Sequence, residues 1–294
     1  MIGELGGLGA AAAWAVVSTV MRSQANRINP IMVNGLNSSF AALTVAVLLV
    51  LLGHVGLLLV TPLTSVALIV ASGMIGQGLG NAAFVTSMKM IGASRAMPIS
   101  SIQPLMTTVL AAVILGERVT WLQVAGTLLV LASVYLLAFP HGPLGNIRSL
   151  LGGADRRGLL LAIGTAACWA SATVMLREGL VGVDLLSANF MRMTVAATML
   201  VSFQTVTAKR RALQGANRRA LVTLALTGAL AATSSFGYLT AVSYAGAAKA
   251  SVLTSTSPMF GLPLSVFVLR EKVNRRIVAG SLICVFGIWL VLLG

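Results

Sequence analysis

The stretch GASRAMPISSIQPLMTTVLAAVILGERVTWLQVAG, residues 92–126, returns 154 residues later as GAAKASVLTSTSPMFGLPLSVFVLREKVNRRIVAG, residues 246–280. Over 92–137 and 246–291 the two align without a gap. Gly92, Ala93 and Ala96 fall on Gly246, Ala247 and Ala250, and Arg95 falls on Lys249. Pro104 meets Pro258, Leu115 meets Leu269, Glu117 meets Glu271, and Val124-Ala125-Gly126 meets Val278-Ala279-Gly280. Upstream, a shift of 155 pairs Trp14 with Trp169, Arg22 with Arg177 and Asn34 with Asn189. Leucine- and alanine-rich helices resemble one another by composition alone. Tryptophan, arginine, proline, glutamate and asparagine are rare in such runs, so their coincidence argues for an internal repeat.

Composition says where the repeat lives. The chain has 294 residues, 57% hydrophobic and 9% charged, with mean hydropathy +0.96. A soluble domain carries about 25% charged and about 45–50% apolar residues, which excludes an ordinary cytosolic enzyme. A membrane-crossing helix needs about 20 mostly apolar residues. Ten such stretches are present, at 5–23, 31–52, 63–88, 94–115, 119–139, 158–176, 184–207, 219–245, 248–269 and 274–293. The first apolar run has no basic segment before it, so it reads as an uncleaved helix. The expected fold is an all-α integral membrane bundle of ten transmembrane helices in two five-helix repeats, 1–139 and 158–294, joined by the loop 140–157. Five spans is an odd number, so the second copy is expected to insert upside down. Inverted repeats are a common transporter plan, with the substrate near the midplane between them.

This five-plus-five pattern, with a tryptophan in the first helix of each half and Leu115-Gly116-Glu117-Arg118 followed by Gly126, resembles the EamA-type transporters of the drug/metabolite transporter superfamily. The second copy departs from the motif at Arg270 but keeps the acid, Glu271. The resemblance implies a central cavity lined by the first, third and fourth helices of each half. It also implies small metabolites, often amino acids, as cargo, usually exported. By the same analogy the last helices, 119–139 and 274–293, serve scaffold or homodimer contacts.

Charge indicates orientation. Of the twenty Lys and Arg residues, sixteen lie in loops that follow odd-numbered helices and three (Arg118, Arg177 and Lys249) on the opposite side. The positive-inside rule places the odd loops in the cytoplasm of a cell that carries this chain in its inner membrane, with both termini outside. The resemblance implies cytoplasmic termini; the charge bias is the stronger argument. The surplus of +14 is explained by these loops, not by nucleic acid.

Candidate site residues follow from polar groups that hydrocarbon does not tolerate unpaired. In the third helix Gly73, Gln77, Gly80 or Asn81, and Phe84 share a face, matched in the eighth by Thr227, Ala231, Ser234 or Ser235, and Tyr238. These groups line a cavity or hold helices together. Trp14 and Trp169, near mid-helix, either pack the core or wall the cavity. Pro98 and Pro104, with Pro258 and Pro263, interrupt the fourth and ninth helices as candidate gating hinges beside Gln103 and Ser257. Glu117 and Glu271 are expected to pair with Arg118, Lys272 or nearby basic loop residues. Arg192 stands within the seventh helix, as a side chain that snorkels to the interface or bonds helix-end carbonyls, or as a contact for a substrate carboxylate.

The leading function is therefore a secondary transporter of small neutral or zwitterionic metabolites, amino acids favoured, working by alternating access. An organic-anion carrier using Arg192, Lys89, Arg95 and Lys249 is the alternative. No Ser/His/Asp set points to an enzyme. Cys168 and Cys284 lie far apart in apolar runs, and His54 and His141 are too few for a metal cluster, so neither cofactor nor metal is expected. Partners are the small-molecule cargo and the lipid bilayer.

Overall fold

The computed structural model describes residues 1–25, 28–91, 96, 99–138, 153–208, 216–257, 259–260 and 275–294, and among these every regular element is helical. They are α1 (Ile2–Ala25), α2 (Pro30–Leu51), α3 (Val55–Leu59), α4 (Leu63–Ser72), a π-helical segment (Gly73–Gly80), α5 (Asn81–Ile91), α6 (Gln103–Ile114) and α7 (Trp121–Ala138). After them come α8 (Gly153–Gly179), α9 (Leu185–Ala208), α10 (Arg218–Ala245), α11 (Ala247–Thr254) and α12 (Arg275–Leu293). Among the described residues, six helical stretches are long and apolar enough to cross a membrane: 2–21, 31–51, 63–84, 156–179, 185–207 and 218–245. Shorter apolar helices cover Gln103–Ile114, Trp121–Leu136 and Leu282–Leu293. The predicted ninth span is described only in its first part, α11 and the turn after it.

Local sequence sets the helix starts. Asn29 caps α2, its side chain accepting from the Ile31 amide, with Pro30 in the first turn where a missing N–H costs nothing. Asn217 caps α10 by accepting from Ala220 N at 2.8 Å. Asp184 caps α9, accepting from both the amide and the hydroxyl of Ser187. The same carboxylate meets His54 Nδ1 at 3.1 Å, which ties the turn after α2 to the start of α9.

Small residues then set how closely helices meet. α1 runs along α10, and α7 along α12. At the first seam a Cβ on Gly6 would lie 2.9 Å from Gly237 O, and one on Gly237 would lie 2.7 Å from Gly6 O. Gly126 and Gly287 stand in the same reciprocal relation, at 2.6 and 2.9 Å. Without a hydrophobic drive between helices in lipid, this close backbone packing is what association uses. α2 packs on both α9 and α10; α8 packs on α4, the π segment, α5 and α6; α6 packs on α11. Leu43, Val47, Val50 and Leu51 of α2 are exposed, an apolar surface that suits lipid.

Three expectations need correction. The third span is not one α-helix, because the π segment interrupts it. Glycine stands at four of its eight positions, and with so few side chains to pack the backbone departs from the α-helical register. Pro104 does not break the interior of a helix: α6 begins at Gln103, so the proline lies in its first turn, and the interruption falls one turn earlier at Ser101–Ile102. The joining loop is shorter than 140–157, since α8 already starts at Gly153. The segment between the second and third spans holds the short helix α3. Pro98, Pro258 and Pro263 lie outside the described residues.

Candidate functional site

Trp169 of α8 anchors a polar chain that runs across five elements. Its Nε1 donates to Gly76 O at 3.1 Å and to Asn81 Oδ1 at 3.2 Å. Its ring lies 5.3 Å from that of Phe84. Gly80 makes room, because a Cβ there would sit 2.9 Å from both Cδ1 and Nε1 of the indole. Thr165, one turn earlier on α8, reaches Gly80 O at 3.4 Å. The glycine-rich π segment thus offers two backbone carbonyls to α8 side chains.

One turn beyond Trp169, Thr173 Oγ1 donates to the Trp169 carbonyl and lies 2.8 Å from the Tyr238 hydroxyl of α10. Over the Tyr238 ring stands the guanidinium of Arg192 from α9, its carbon 5.3 Å from the ring centroid, a cation–π distance. Asn81, Trp169, Tyr238 and Arg192, separate candidates in the sequence, therefore belong to one connected cluster. Thr173 was not among the candidates. Its position four residues after Trp169 puts it on the same face, and that spacing is the signal that marks it.

Arg192 is the one buried charged side chain among the described residues, 5% exposed, and its Nε has no partner. Other buried polar atoms without partners are Asn37 Oδ1, Asn189 Oδ1, Thr194 Oγ1, Gln204 Oε1 and Ser235 Oγ. All of these groups lie on α2, α9 and α10, three helices that pack on one another. Asn189 Nδ2 donates to Ala232 O at 3.1 Å, which fixes its amide and leaves Oδ1 as the free end.

The two tryptophans do not occupy matching environments. Trp14 is 43% exposed, although it shares the face of Gly7, Ala10 and Ala11. A Cβ on Gly7 would touch Leu253 of α11 and Ala241 of α10, and Ala10 O accepts from Ser234 of α10. Gln77 is half-buried within the π segment. Gln103 is engaged locally, its Nε2 donating to Thr107 Oγ1 at 3.0 Å on its own helix. Ser257 is half-buried just past α11. Lys249 lies on α11 near Thr108 of α6 and Gln123 and Thr127 of α7; Arg95 and the Lys89 side chain lie outside what is described.

Glu117 finds a basic partner as expected, in Arg177 and not Arg118, and has a second role. It caps α11 from the far half of the chain, accepting from Ala247 N at 2.7 Å and Ala248 N at 3.1 Å. The carboxylate meets the positive end of the helix dipole. Gly246 turns the chain there with φ +88°, and a Cβ on it would crowd Glu117 Oε1 at 2.9 Å. Arg177 adds a contact, its Nε 3.7 Å from the carboxylate while its terminal nitrogen donates to Ser243 O at 2.7 Å. Glu271 lies outside the described residues.

An uncharacterized transporter of Archaeoglobus fulgidus is 26% identical over 234 residues, covering 80% of this chain and 78% of that protein. A crystal structure of an 18% identical protein superposes with a TM-score of 0.80 over 99% of this chain and 96% of that one, a likeness of fold. The EamA-like transporter family matches residues 1–139 and 156–293, nearly the whole length, and the chain belongs to that family.

Proposed function

We propose that the protein carries small neutral or zwitterionic metabolites, amino acids foremost, through a cavity between two inverted five-helix repeats by alternating access. The observation that carries this reading is the connected cluster of Asn81, Trp169, Thr173, Tyr238 and Arg192, which joins the first half of the chain to the second. Intramembrane polar networks of this kind are costly unless they serve a pathway.

The packing supports two equivalent halves. Exchange α1 with α8, α2 with α9, the α4–π–α5 unit with α10, α6 with α11 and α7 with α12. The contact of α1 with α10 then becomes that of α8 with the π segment, and the pairs α2–α9, α6–α11 and α7–α12 map onto themselves. Two such halves related by an axis in the membrane plane form inward-open and outward-open states of similar energy. Trp14 fits the cavity as well: exposure on a face that otherwise packs against α10 and α11 points to an opening within the bundle. Gln77 and Ser235 line the same region, with Gln103 and Ser257 towards its ends, and the break at Ser101–Ile102 is the hinge candidate in the first half.

A thermal-shift screen of the detergent-purified protein against amino acids, nucleobases and quaternary amines tests the reading. A ligand that binds only the folded state adds about 2.7 kcal/mol at a hundredfold excess over Kd. Selective stabilisation by amino acids supports the proposal, and stabilisation by quaternary amines alone contradicts it.

A further inference from the structure

Resting on the cavity reading above, the geometry points to Arg192, framed by Tyr238 and Ser235, as a carboxylate subsite, so that the cargo carries a carboxylate and net cations are rejected. A guanidinium remains charged in any protein environment and presents five donors. Burying it without a counter-ion costs several kcal/mol, and the described carboxylates are committed elsewhere. Glu4 pairs with the N-terminal ammonium, Glu117 caps α11, Asp184 caps α9 and meets His54, and Glu178 is exposed. Tyr238 offers Arg192 only a ring face, because its hydroxyl is engaged by Thr173.

Snorkelling does not account for the side chain. Arg192 lies seven residues past Leu185, about 10 Å along the helix at 1.5 Å per residue, and it is 5% exposed with Nε fully enclosed. A second donor without a partner lies one turn before Tyr238 on α10, on the same helix face: the buried Ser235 Oγ. Nε and a hydroxyl without acceptors are what a carboxylate satisfies, and a planar carboxylate matches the guanidinium fork. A single arginine neutralises one carboxylate fully and a phosphate dianion only in part. A cationic cargo meets like charge, and the ring face that would attract it is already covered by Arg192.

The test uses the full-length protein and the common amino acids, each paired with its methyl ester, which keeps shape and ammonium but removes the anion. Ligand affinities are read from thermal-shift titrations of wild type, Arg192→Gln and Arg192→Lys. Acids that stabilise wild type are expected to lose about tenfold or more in affinity as esters, the loss of one charged hydrogen-bonded contact. Arg192→Gln should lose a similar factor for the acids and gain affinity for the cationic esters, and Arg192→Lys should recover part of the acid affinity. The acid–ester comparison on wild type stands even where a variant fails to fold. Equal affinity for acid and ester, or acid binding unchanged in Arg192→Gln, overturns the subsite while the carrier reading survives. If no acid or ester binds and vesicles containing the protein move neither, the subsite and the cavity reading fall together.

Discussion

At the residue scale the informative side chains are those whose bonds reach other helices. Trp169 satisfies two acceptors at once, and Trp169→Phe keeps the ring but leaves Asn81 Oδ1 and Gly76 O without their donor. An unsatisfied buried acceptor costs about 1–3 kcal/mol, so this variant should melt at lower temperature and lose ligand stabilisation. Gly80→Ala reaches the same point from the other side, because its Cβ would displace the indole. Equal melting temperatures for wild type and both variants would remove Trp169 from the site. Which residues join the polar cluster was partly legible in the sequence. Rare polar and aromatic groups in apolar runs named Trp169, Asn81, Tyr238 and Arg192, because hydrocarbon makes their presence expensive. Their joining through Thr173 was not legible, since it depends on which faces of α8 and α10 meet. The equivalence of Trp14 and Trp169 held only as sequence, and the contacts around each are different.

At the element scale, hydropathy located the helices and missed their irregularities. A sum over twenty residues registers apolar length and is blind to hydrogen-bond register, so the π segment at Gly73–Gly80 gave no signal beyond its four glycines. The cap on α11 was equally hidden, because Glu117 and Ala247 are 130 residues apart. That cap holds the first half of the chain to the second. Glu117→Ala removes acceptors for two amides at a helix N-terminus, which should cost about 1–2 kcal/mol, and Glu117→Gln should cost less because one acceptor remains. Gly246→Ala should destabilise to a similar degree, since φ +88° disfavours a side chain and the added carbon presses on the carboxylate. Thermal unfolding of the three variants checks the order, and a melting temperature unchanged in Glu117→Ala would contradict it. At the α7–α12 seam, Gly126→Leu should force the two backbones apart and lower stability more than Leu128→Ala on an exposed position of the same helix.

At the scale of the whole molecule, the family match covers residues 1–139 and 156–293, the two stretches that hold the mutually similar segments 92–137 and 246–291. Orientation rests on the charge of the loops. With sixteen basic residues in the loops after odd-numbered helices, we predict that both termini face away from the cytoplasm. A fluorescent protein that folds only in the cytoplasm, fused after Gly294, should remain dark, and bright cells would reverse the assignment. The carrier reading itself is tested most directly by counterflow. Purified protein is reconstituted into vesicles loaded with a mixture of unlabelled amino acids, and uptake of each labelled amino acid is followed from outside. We predict transient accumulation above the equilibrium level for at least one amino acid, absent from protein-free vesicles and abolished by Arg192→Gln. Uptake indistinguishable from protein-free vesicles for every amino acid would contradict it.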